Sequence, residues 1–338
     1  KYRRIKPFLR YLYKYYREII HYPDSEKGWK PFAVKAADKL LQNEKIDAII
    51  SSSSPVTAHI IARELKAKYK IPWIADFRDL WTQNHNYPYS RIRKYFERKL
   101  ELKTLATADV LIAVSPFDTE KLKTLHKGKK VHTITNGFDP DKVNNGKTPL
   151  TAKFTITYTG QIYPKQDPSK FLIALKNLIS KKVLESKDID VRFYGPESDL
   201  LTSKIAECAL TGIVRQLGVV PREVSLEKQR ESQVLLLLKW EDPRTRGVYT
   251  AKVFEYLAAM RPILAVGGTN DVVTELLNET SAGVDAQTAR DVEEAIKRFY
   301  QEYKLKGKVS YCGKIEKINK YSYREMAKRF AEILDLIA

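Results

Sequence analysis

Short apolar runs alternate with amphipathic stretches along the whole chain, and this pattern predicts a parallel α/β architecture. Helical periodicity is clearest over residues 57–69 and 89–108, each of which lies between two apolar runs. The run at 234–238 is apolar at every position, which is typical of a strand buried on both faces of a parallel sheet. The predicted strands are 47–52, 72–76, 109–114, 130–135, 154–160, 190–195, 232–240 and 262–268.

Residues 136–151 interrupt this pattern with a stretch dense in Asn, Gly, Asp and Pro, as expected of a linker. We therefore predict two Rossmann-like domains at residues 1–140 and 141–318, followed by a terminal helix at 319–338. Polar clusters such as "DFRDLW" and "TGQIYPK" come directly after predicted strands. Ligands bind at the carboxyl ends of the strands in such sheets, so these clusters would line one interdomain cleft if both edges faced each other.

The composition allows two hydrophobic cores, because 43% of the 338 residues are hydrophobic. No apolar run approaches the roughly 18 residues of a membrane span, and the start shows no signal-peptide pattern. Cys208 and Cys312 lack metal-site spacing, so we expect no structural zinc and a reducing, cytoplasmic environment. The chain begins at Lys1 within a predicted helix, and we expect that the natural amino terminus precedes it.

The formal net charge of +19 indicates an anionic partner. Finger and RNA-binding strand motifs are missing from the sequence, so we expect no nucleic acid. The basic residues are densest in residues 1–20, where Phe8, Leu12, Tyr16 and Ile19 recur at helical spacing. Such a helix could lie on an anionic membrane. It could equally pack on its own domain with a charged face in solvent.

The segment "GVYTAKVFEYLAAMRPILAVGG", residues 247–268, predicts a helix and then a strand. Lys252 is disfavoured in the first helical turn, where the helix already carries partial positive charge. A cap at Thr250 would leave backbone N–H groups free to attract phosphate, which Lys252 would reinforce. Glu255 lies on the same face, and a carboxylate suits a ribose diol. The alternative is a surface Lys-Glu pair without a function.

This segment resembles the nucleotide-sugar segment of GT-B glycosyltransferases, in particular glycosyltransferase family 4. The resemblance implies two Rossmann-like domains facing a cleft and a last helix, "YSYREMAKRFAEILDLI", that crosses back to the first domain. It assigns ribose binding to Glu255. The first of the family's two glutamates would fall at Gly247, where this sequence departs from the pattern. Relatives also begin with a strand, a Gly-rich loop and a helix that this sequence lacks.

Other segments extend the resemblance across most of the chain. "TGQIYPK" resembles the family's glycine-to-lysine loop, which would place Gly160 and Lys165 at the diphosphate. "FYGPES" and "VVPREV" resemble segments near the base, which would place Gly195 and Val220 there. The predicted donor-binding residues are Gly160, Lys165, Gly195, Val220, Thr250, Lys252 and Glu255.

In the first domain, "DFRDLW" follows the strand at 72–76, where many relatives carry a histidine. Asp76, Arg78 and Asp79 are the predicted catalytic residues, and the Trp81 indole would complete a sugar-binding surface. The alternative is a structural Asp-Arg cluster that holds the loop in place.

Together these features predict transfer of a sugar from a UDP-, GDP- or other nucleoside diphosphate donor to an acceptor hydroxyl. We expect no metal or other cofactor, because a helix end and basic side chains can neutralise the diphosphate. The resemblance implies retention of anomeric configuration. The basic first helix favours a lipid-linked glycan acceptor at the inner face of a membrane, as in capsule, cell-envelope or O-antigen synthesis.

Two other hypotheses stay open at this point. The first is a catalytically silent GT-B partner subunit, which Gly247 favours. The second is a sugar-nucleotide epimerase of the same fold, which would need no acceptor.

Overall fold

The computed structural model describes the backbone of residues 7–143 and 148–337, and their side chains except those of residues 7–12 and 14. Arg3, Arg4 and Lys6 of the predicted basic helix lie outside the described residues. Two compact units divide the chain: Lys1–Thr135 with Lys328–Ala338, and Asn136–Ala327.

The first unit is built on a four-stranded parallel sheet in the order β1-β2-β3-β4. Its central strands are buried on both faces, and Trp73, Phe77 and Leu111 are among the core side chains on β2 and β3. The strands are β1 Ile49–Ser53, β2 Trp73–Phe77, β3 Val110–Ala113 and β4 Lys130–Thr133. The helices are α1 Pro7–Ile20, α2 Lys30–Asn43, α3 Thr57–Tyr69, α4 Arg91–Leu105 and α5 Pro116–Leu125.

The second unit contains a six-stranded parallel sheet in the order β7-β6-β5-β8-β9-β10. Its strands are β5 Phe154–Thr159, β6 Ile189–Tyr194, β7 Val214–Gln216, β8 Val234–Leu238, β9 Ile263–Val266 and β10 Gly283–Ala286. Its helices are α6 Ser169–Ser180, α7 Asp199–Glu207, α8 Arg222–Arg230, α9 Ala251–Ala259, α10 Val272–Thr280, α11 Ala289–Lys306 and α12 Ile315–Asn319. The last helix, α13 Tyr323–Asp335, begins in the second unit, and residues from Lys328 onward cluster with the first.

The predicted fold class, two parallel-sheet α/β domains, is confirmed, and α3 has the predicted bounds. Two edge strands were not predicted. β7 has only three residues, Val-Arg-Gln, and β10 reads Gly-Val-Asp-Ala, so neither contains a run of β-branched or aromatic residues.

A buried charged stripe on α4 joins this helix to the rest of the first unit. Arg93, Glu97 and Glu101 recur every four residues and are all buried. The Arg93 Nε lies 2.6 Å from a Glu97 carboxylate oxygen. The same guanidinium donates to the backbone carbonyls of Glu18, His21 and Pro23 at 2.7–2.9 Å, just where α1 ends. One arginine thus satisfies the Glu18 carbonyl, which the helix end leaves without a partner, and two carbonyls of the segment that follows α1.

Replacing this arginine tests how far α1 depends on α4. We expect Arg93→Met to lower the free energy of unfolding of the first unit by about 3–5 kcal/mol, because it leaves the Glu97 carboxylate buried without its ion-pair partner. Three of the four tryptophans, Trp29, Trp73 and Trp81, lie in this unit, so urea unfolding followed by tryptophan fluorescence reports on it.

Arg98→Met is the matched control, because Arg98 is exposed on the same helix. Its effect should stay within about 0.5 kcal/mol. Equal effects of the two substitutions would contradict the role given to Arg93.

Candidate functional site

In the second unit, the strand order places a topological switch between β5 and β8. From β5 the chain builds outward through β6 and β7, and from β8 it builds in the opposite direction through β9 and β10. Ligands of open parallel sheets bind in the crevice outside the carboxyl ends of the strands at such a switch. Gly160 directly follows β5, so the structure places a predicted donor residue at this point.

Close backbone contacts at the strand ends require two of the predicted glycines. Gly160 has a φ of +94° and Gly195 a φ of +150°. A Cβ atom on Gly195 would lie 2.4 Å from the carbonyl oxygen of Gly160. The amide of Gly160 donates to the Tyr194 carbonyl at 2.7 Å. The ends of β5 and β6 therefore approach as only glycine permits, and they leave bare backbone at the switch.

Lys252 lies directly against Gly160. A Cβ atom on that glycine would lie 2.7 Å from the Lys252 Cε. The Lys252 amine donates to the Gln161 carbonyl at 3.0 Å and lies 5.2 Å and 5.0 Å from the ring centres of Tyr158 and Tyr163. Burial lowers the pKa of Lys252 from 10.5 to about 8, although the Glu255 charge opposes this change. Among the described residues, this amine has no carboxylate within ion-pair distance, so the site holds a cation that is available to an anion.

Thr250 and Lys165 are the two other residues predicted to bind phosphate. Thr250 occupies the N-cap position of α9 with an extended backbone, but its side chain makes no capping hydrogen bond, and its buried hydroxyl has no partner among the described residues. Thr250 thus begins the helix as predicted, but its hydroxyl does not supply the capping hydrogen bond. Lys165 is exposed in the loop after Gly160, with its amine 3.7 Å from Asp242.

Glu255 is half-buried one turn after Lys252, and its partners come from α8. Arg222 approaches one carboxylate oxygen at 3.2 Å, and the Gln229 amide donates to the other at 3.4 Å. Gln229 is fully buried and also donates to the Thr159 hydroxyl at 3.0 Å. The side-chain carbonyl oxygen of Gln229, Oε1, has no partner among the described residues. The contacts of Glu255 therefore differ from those of a simple surface Lys-Glu pair.

Val220 is the remaining predicted donor residue, and it lies in the segment directly before α8. Val220 is half-buried and precedes Pro221, the N-cap residue of α8.

Glu255 lines a small pocket of about 20 Å³ together with Arg222, Gln229 and Arg230. Such a volume holds about one water molecule.

Sequence reasoning missed two buried residues that hold the loops of this site. Gln166 accepts from the Tyr163 amide at 2.9 Å and donates to the Leu238 carbonyl at 2.7 Å, which joins the loop after β5 to the end of β8. Lys239 is buried directly after β8, with its amine 2.6 Å from Asp285 and 3.2 Å from Asp271. The signal for Lys239 was present, since a lysine that directly follows an all-apolar strand needs a buried partner.

In the first unit, Asp76 and Arg78 form an ion pair at the end of β2. The Arg78 Nε donates to both Asp76 carboxylate oxygens at 2.8–3.0 Å, and the Ser52 hydroxyl donates to Asp76 at 3.0 Å. Arg78 also lies 5.9 Å from the ring centre of Phe330. These contacts are those of the structural alternative. A sugar-binding role for the pair stays a prediction.

Trp81 does not contribute to a sugar-binding surface, and this expectation was wrong. Its indole is buried in the core of the first unit and donates to the Glu97 carboxylate at 3.1 Å. The buried stripe of α4 supplies that acceptor, which the local sequence around Trp81 does not reveal.

Asp79 differs from its neighbours because it is exposed and lies near a second carboxylate, Asp118. Although Asp79 keeps much of its surface accessible, the protein around its carboxyl group excludes part of its water. This desolvation and then the negative charge of Asp118 raise the pKa of Asp79. Burial likewise raises the pKa of Asp118, which Lys121 opposes from 3.2 Å. His85 lies close enough for its charge to favour ionised Asp118. Asp118 lies at the start of α5, directly after β3, in the sequence "SPFD" (residues 115–118). The neighbouring strands β2 and β3 therefore bring these polar groups together.

Within residues 7–143 and 148–337, no group of three His, Cys, Asp or Glu side chains is arranged to hold a metal ion. None of the helices described there combines the length and apolar character needed to cross a bilayer.

Comparison with known families gives a match for the first unit. Residues 4–142 match the family described as Glycosyltransferase Family 4. The comparison with curated protein sequences gave no match. The family match therefore covers the part of the chain that contains Asp76, Arg78 and Asp79.

Comparison with solved structures identifies the fold of the whole chain as GT-B. HepE from Anabaena in complex with UDP has a TM-score of 0.69 at 12% identity, over 90% of this chain and 81% of that chain. A glycosyltransferase from Rickettsia africae has a TM-score of 0.66 at 15% identity, over 100% and 83%. Sucrose-phosphate synthase from Thermosynechococcus elongatus has a TM-score of 0.66 at 14% identity, over 92% and 79%. The predicted resemblance to GT-B glycosyltransferases and to family 4 is confirmed.

The lowered pKa of Lys252 predicts a pH-dependent stability difference. Below pH 8 the folded protein carries a partly buried ammonium group. Between about pH 8 and the unfolded value of 10.5 the unfolded chain binds more protons, so this contribution to stability rises with pH. We therefore expect Lys252→Met to melt at a higher temperature than the wild type at pH 7, with the difference shrinking toward pH 10.

Thermal unfolding at the two pH values measures this effect. Lys165→Met is the control, because its exposed side chain should give the same small difference at both pH values. A Lys252→Met difference that does not change with pH would show that burial does not control the ionisation of this amine.

Proposed function

We propose that the protein transfers a sugar from a nucleoside diphosphate sugar to an acceptor hydroxyl. The observation that carries this proposal is the contact of Lys252 with Gly160 at the switch between β5 and β8. It places a cation, bare backbone and the amino end of α9 at the position where parallel sheets bind nucleotides.

In this proposal the diphosphate binds between Gly160 and the start of α9. An anion near Lys252 favours the charged amine, so binding raises the lowered pKa and takes up a proton above pH 8. The protonated amine and the free N–H groups of α9 then stabilise the charge that develops on the departing diphosphate. Lys165, whose side chain is exposed in the loop after Gly160, adds a second positive charge.

Glu255 is proposed to bind the ribose hydroxyls, and Gln229 to orient it. The carboxylate is half-buried, and Arg222, which is exposed, can leave it when a ribose arrives. Gln229 is fixed by its bond to Thr159 at the end of β5, so it holds one carboxylate oxygen in place. Gly195 and Val220 are proposed to lie near the base.

A uridine nucleotide is the donor we propose first. Anabaena HepE has been solved in complex with UDP and with UDP-glucose, and its fold matches most of this chain. That support comes from a protein of 12% identity, so the base and the sugar of this chain are part of the proposal.

The first unit is proposed to bind the acceptor. Asp79 is exposed and shares its surroundings with Asp118, so carboxylates with raised pKa values are available to accept hydrogen bonds from sugar hydroxyls. Asp76 and Arg78 support the loop that carries Asp79. We propose a lipid-linked glycan as acceptor, and capsule, cell-envelope or O-antigen assembly at the cytoplasmic face of the membrane as the setting.

Nucleotide binding tests the donor site directly. In titration calorimetry with UDP, we expect Glu255→Ala to weaken affinity roughly 10–100-fold, as for loss of hydrogen bonds to a charged group. Wild-type protein should prefer UDP over 2′-deoxy-UDP, and both Glu255→Ala and Gln229→Leu should lose that preference. Glu223→Ala, an exposed glutamate on α8, should behave as wild type.

The outcomes separate the hypotheses. Undiminished UDP affinity in Glu255→Ala would remove the ribose assignment. Tight UDP-sugar binding without transfer to any acceptor would favour the silent partner subunit. Conversion of the donor sugar to an isomer without an acceptor would favour the epimerase.

Stereochemistry and metal dependence form a separate prediction. We propose transfer without a metal, because α9 and Lys252 supply the positive charge at the diphosphate, and transfer with retention, which the family resemblance implies. Proton NMR of the product should show the donor's anomeric configuration, and excess EDTA should leave the rate unchanged. An inverted product, or a rate that EDTA abolishes and Mg²⁺ restores, would contradict this.

A further inference from the structure

The first unit presents one face, formed by α4 and the end of α1, that carries exposed apolar and aromatic side chains among basic ones. On α4, Ile92, Tyr95, Phe96 and Lys99 follow the spacing of a single helical stripe. Ile92 is 69% exposed and Phe96 is 54% exposed. The Lys99 amine lies 4.4 Å from the ring centre of Tyr95. An aliphatic residue, two aromatic residues and a lysine thus face outward together.

The end of α1 continues this face. Ile19 is 74% exposed, and Tyr16 is exposed one turn earlier. A groove of about 480 Å³ runs between the two helices, and Ile19, Ile92 and Phe96 line it together. Three exposed apolar side chains around one groove make a contiguous patch, which marks an interaction site more strongly than isolated exposed residues do.

The described acidic side chains of α1 and α4 point inward, whereas most of the basic ones point outward. Glu18 is buried and accepts from the Ser90 hydroxyl at 2.5 Å, while Glu97 and Glu101 lie in the buried stripe of α4. Among the described side chains of α1 and α4, every exposed charge is basic. These exposed charges are Arg17, Arg91, Arg98, Lys99 and Lys103.

We infer that this α1/α4 face docks the protein on an anionic lipid bilayer. Apolar and aromatic side chains flanked by Lys and Arg match the boundary between acyl chains and negatively charged headgroups, and the described side chains of α1 and α4 place no acid on this face. A second copy of the chain fits poorly, because two such faces would bring like charges together. The inference supplies a membrane partner for the proposed function and depends on no residue of the donor site.

Vesicle flotation tests the docking face with the full chain. We expect the wild type to float with phosphatidylcholine vesicles that contain about one third phosphatidylglycerol, and not with pure phosphatidylcholine. Ile92→Ser with Phe96→Ser should lower partitioning roughly tenfold, because apolar area no longer enters the boundary. Lys99→Glu with Lys103→Glu should lower it at least roughly tenfold on the anionic vesicles.

Matched controls lie in the second unit. Leu305→Ser removes an exposed leucine of α11, and Lys176→Glu reverses an exposed lysine of α6. Both should float as the wild type does. All substituted positions are exposed, and unchanged circular dichroism and melting temperature show that each variant is folded.

Several outcomes would overturn the inference. If Lys176→Glu weakens flotation as much as the α4 charge reversals do, the whole basic protein adheres and no face docks. If light scattering shows a wild-type dimer that Ile92→Ser with Phe96→Ser converts to a monomer, the face is a subunit interface. Salt-sensitive retention on DNA that the α4 reversals abolish, without vesicle binding, would assign the face to nucleic acid.

Loss of UDP binding in Glu255→Ala with unchanged flotation would support both proposals independently.

Discussion

Parallel pairing of β5 with both β6 and β8 is the constraint on which the geometry of the candidate site in the second unit depends. Because all these strands end at one edge, Gly160, Gly195 and the loop after β8 meet there. The same pairing brings α9, which follows β8, over the end of β5. Lys252 reaches Gly160 for that reason, although 91 residues separate it from its acceptor at Gln161. The local sequence of α9 alone would favour no lysine in that turn.

The sequence predicted the alternation of strands and helices and the helix and strand of residues 247–268, since both follow from periodicity within continuous stretches. It could not supply contacts between distant segments. Gln229 and Gln166 are polar residues in unremarkable contexts, and only the folded sheet shows that both are buried and bonded to strand ends. Trp81 was misassigned for the same reason, because its acceptor, Glu97, comes from the next helix.

The α4 helix shows how composition can mislead about a surface. Its sequence contains both acidic and basic residues. The acidic side chains are buried in internal hydrogen bonds and one ion pair, and the charged side chains at its exposed positions are basic. The electrostatic field outside this helix is therefore more positive than its net charge suggests. The arrangement also joins stability to surface chemistry, because the residues that hold α1 in place are those that remove negative charge from the face.

The contacts among Gly195, Gly160 and Lys252 bear on how this site can change over generations. A methyl group on Gly195 would strike Gly160, and one on Gly160 would strike the lysine side chain. Enlarging either glycine first requires that another member of the series retreat, and shortening the lysine removes the cation. The order in which substitutions can accumulate is thus restricted by sterics alone. If the trio binds the donor as proposed, descendants of this protein should reach new donor preferences by altering the surrounding loops while the trio persists.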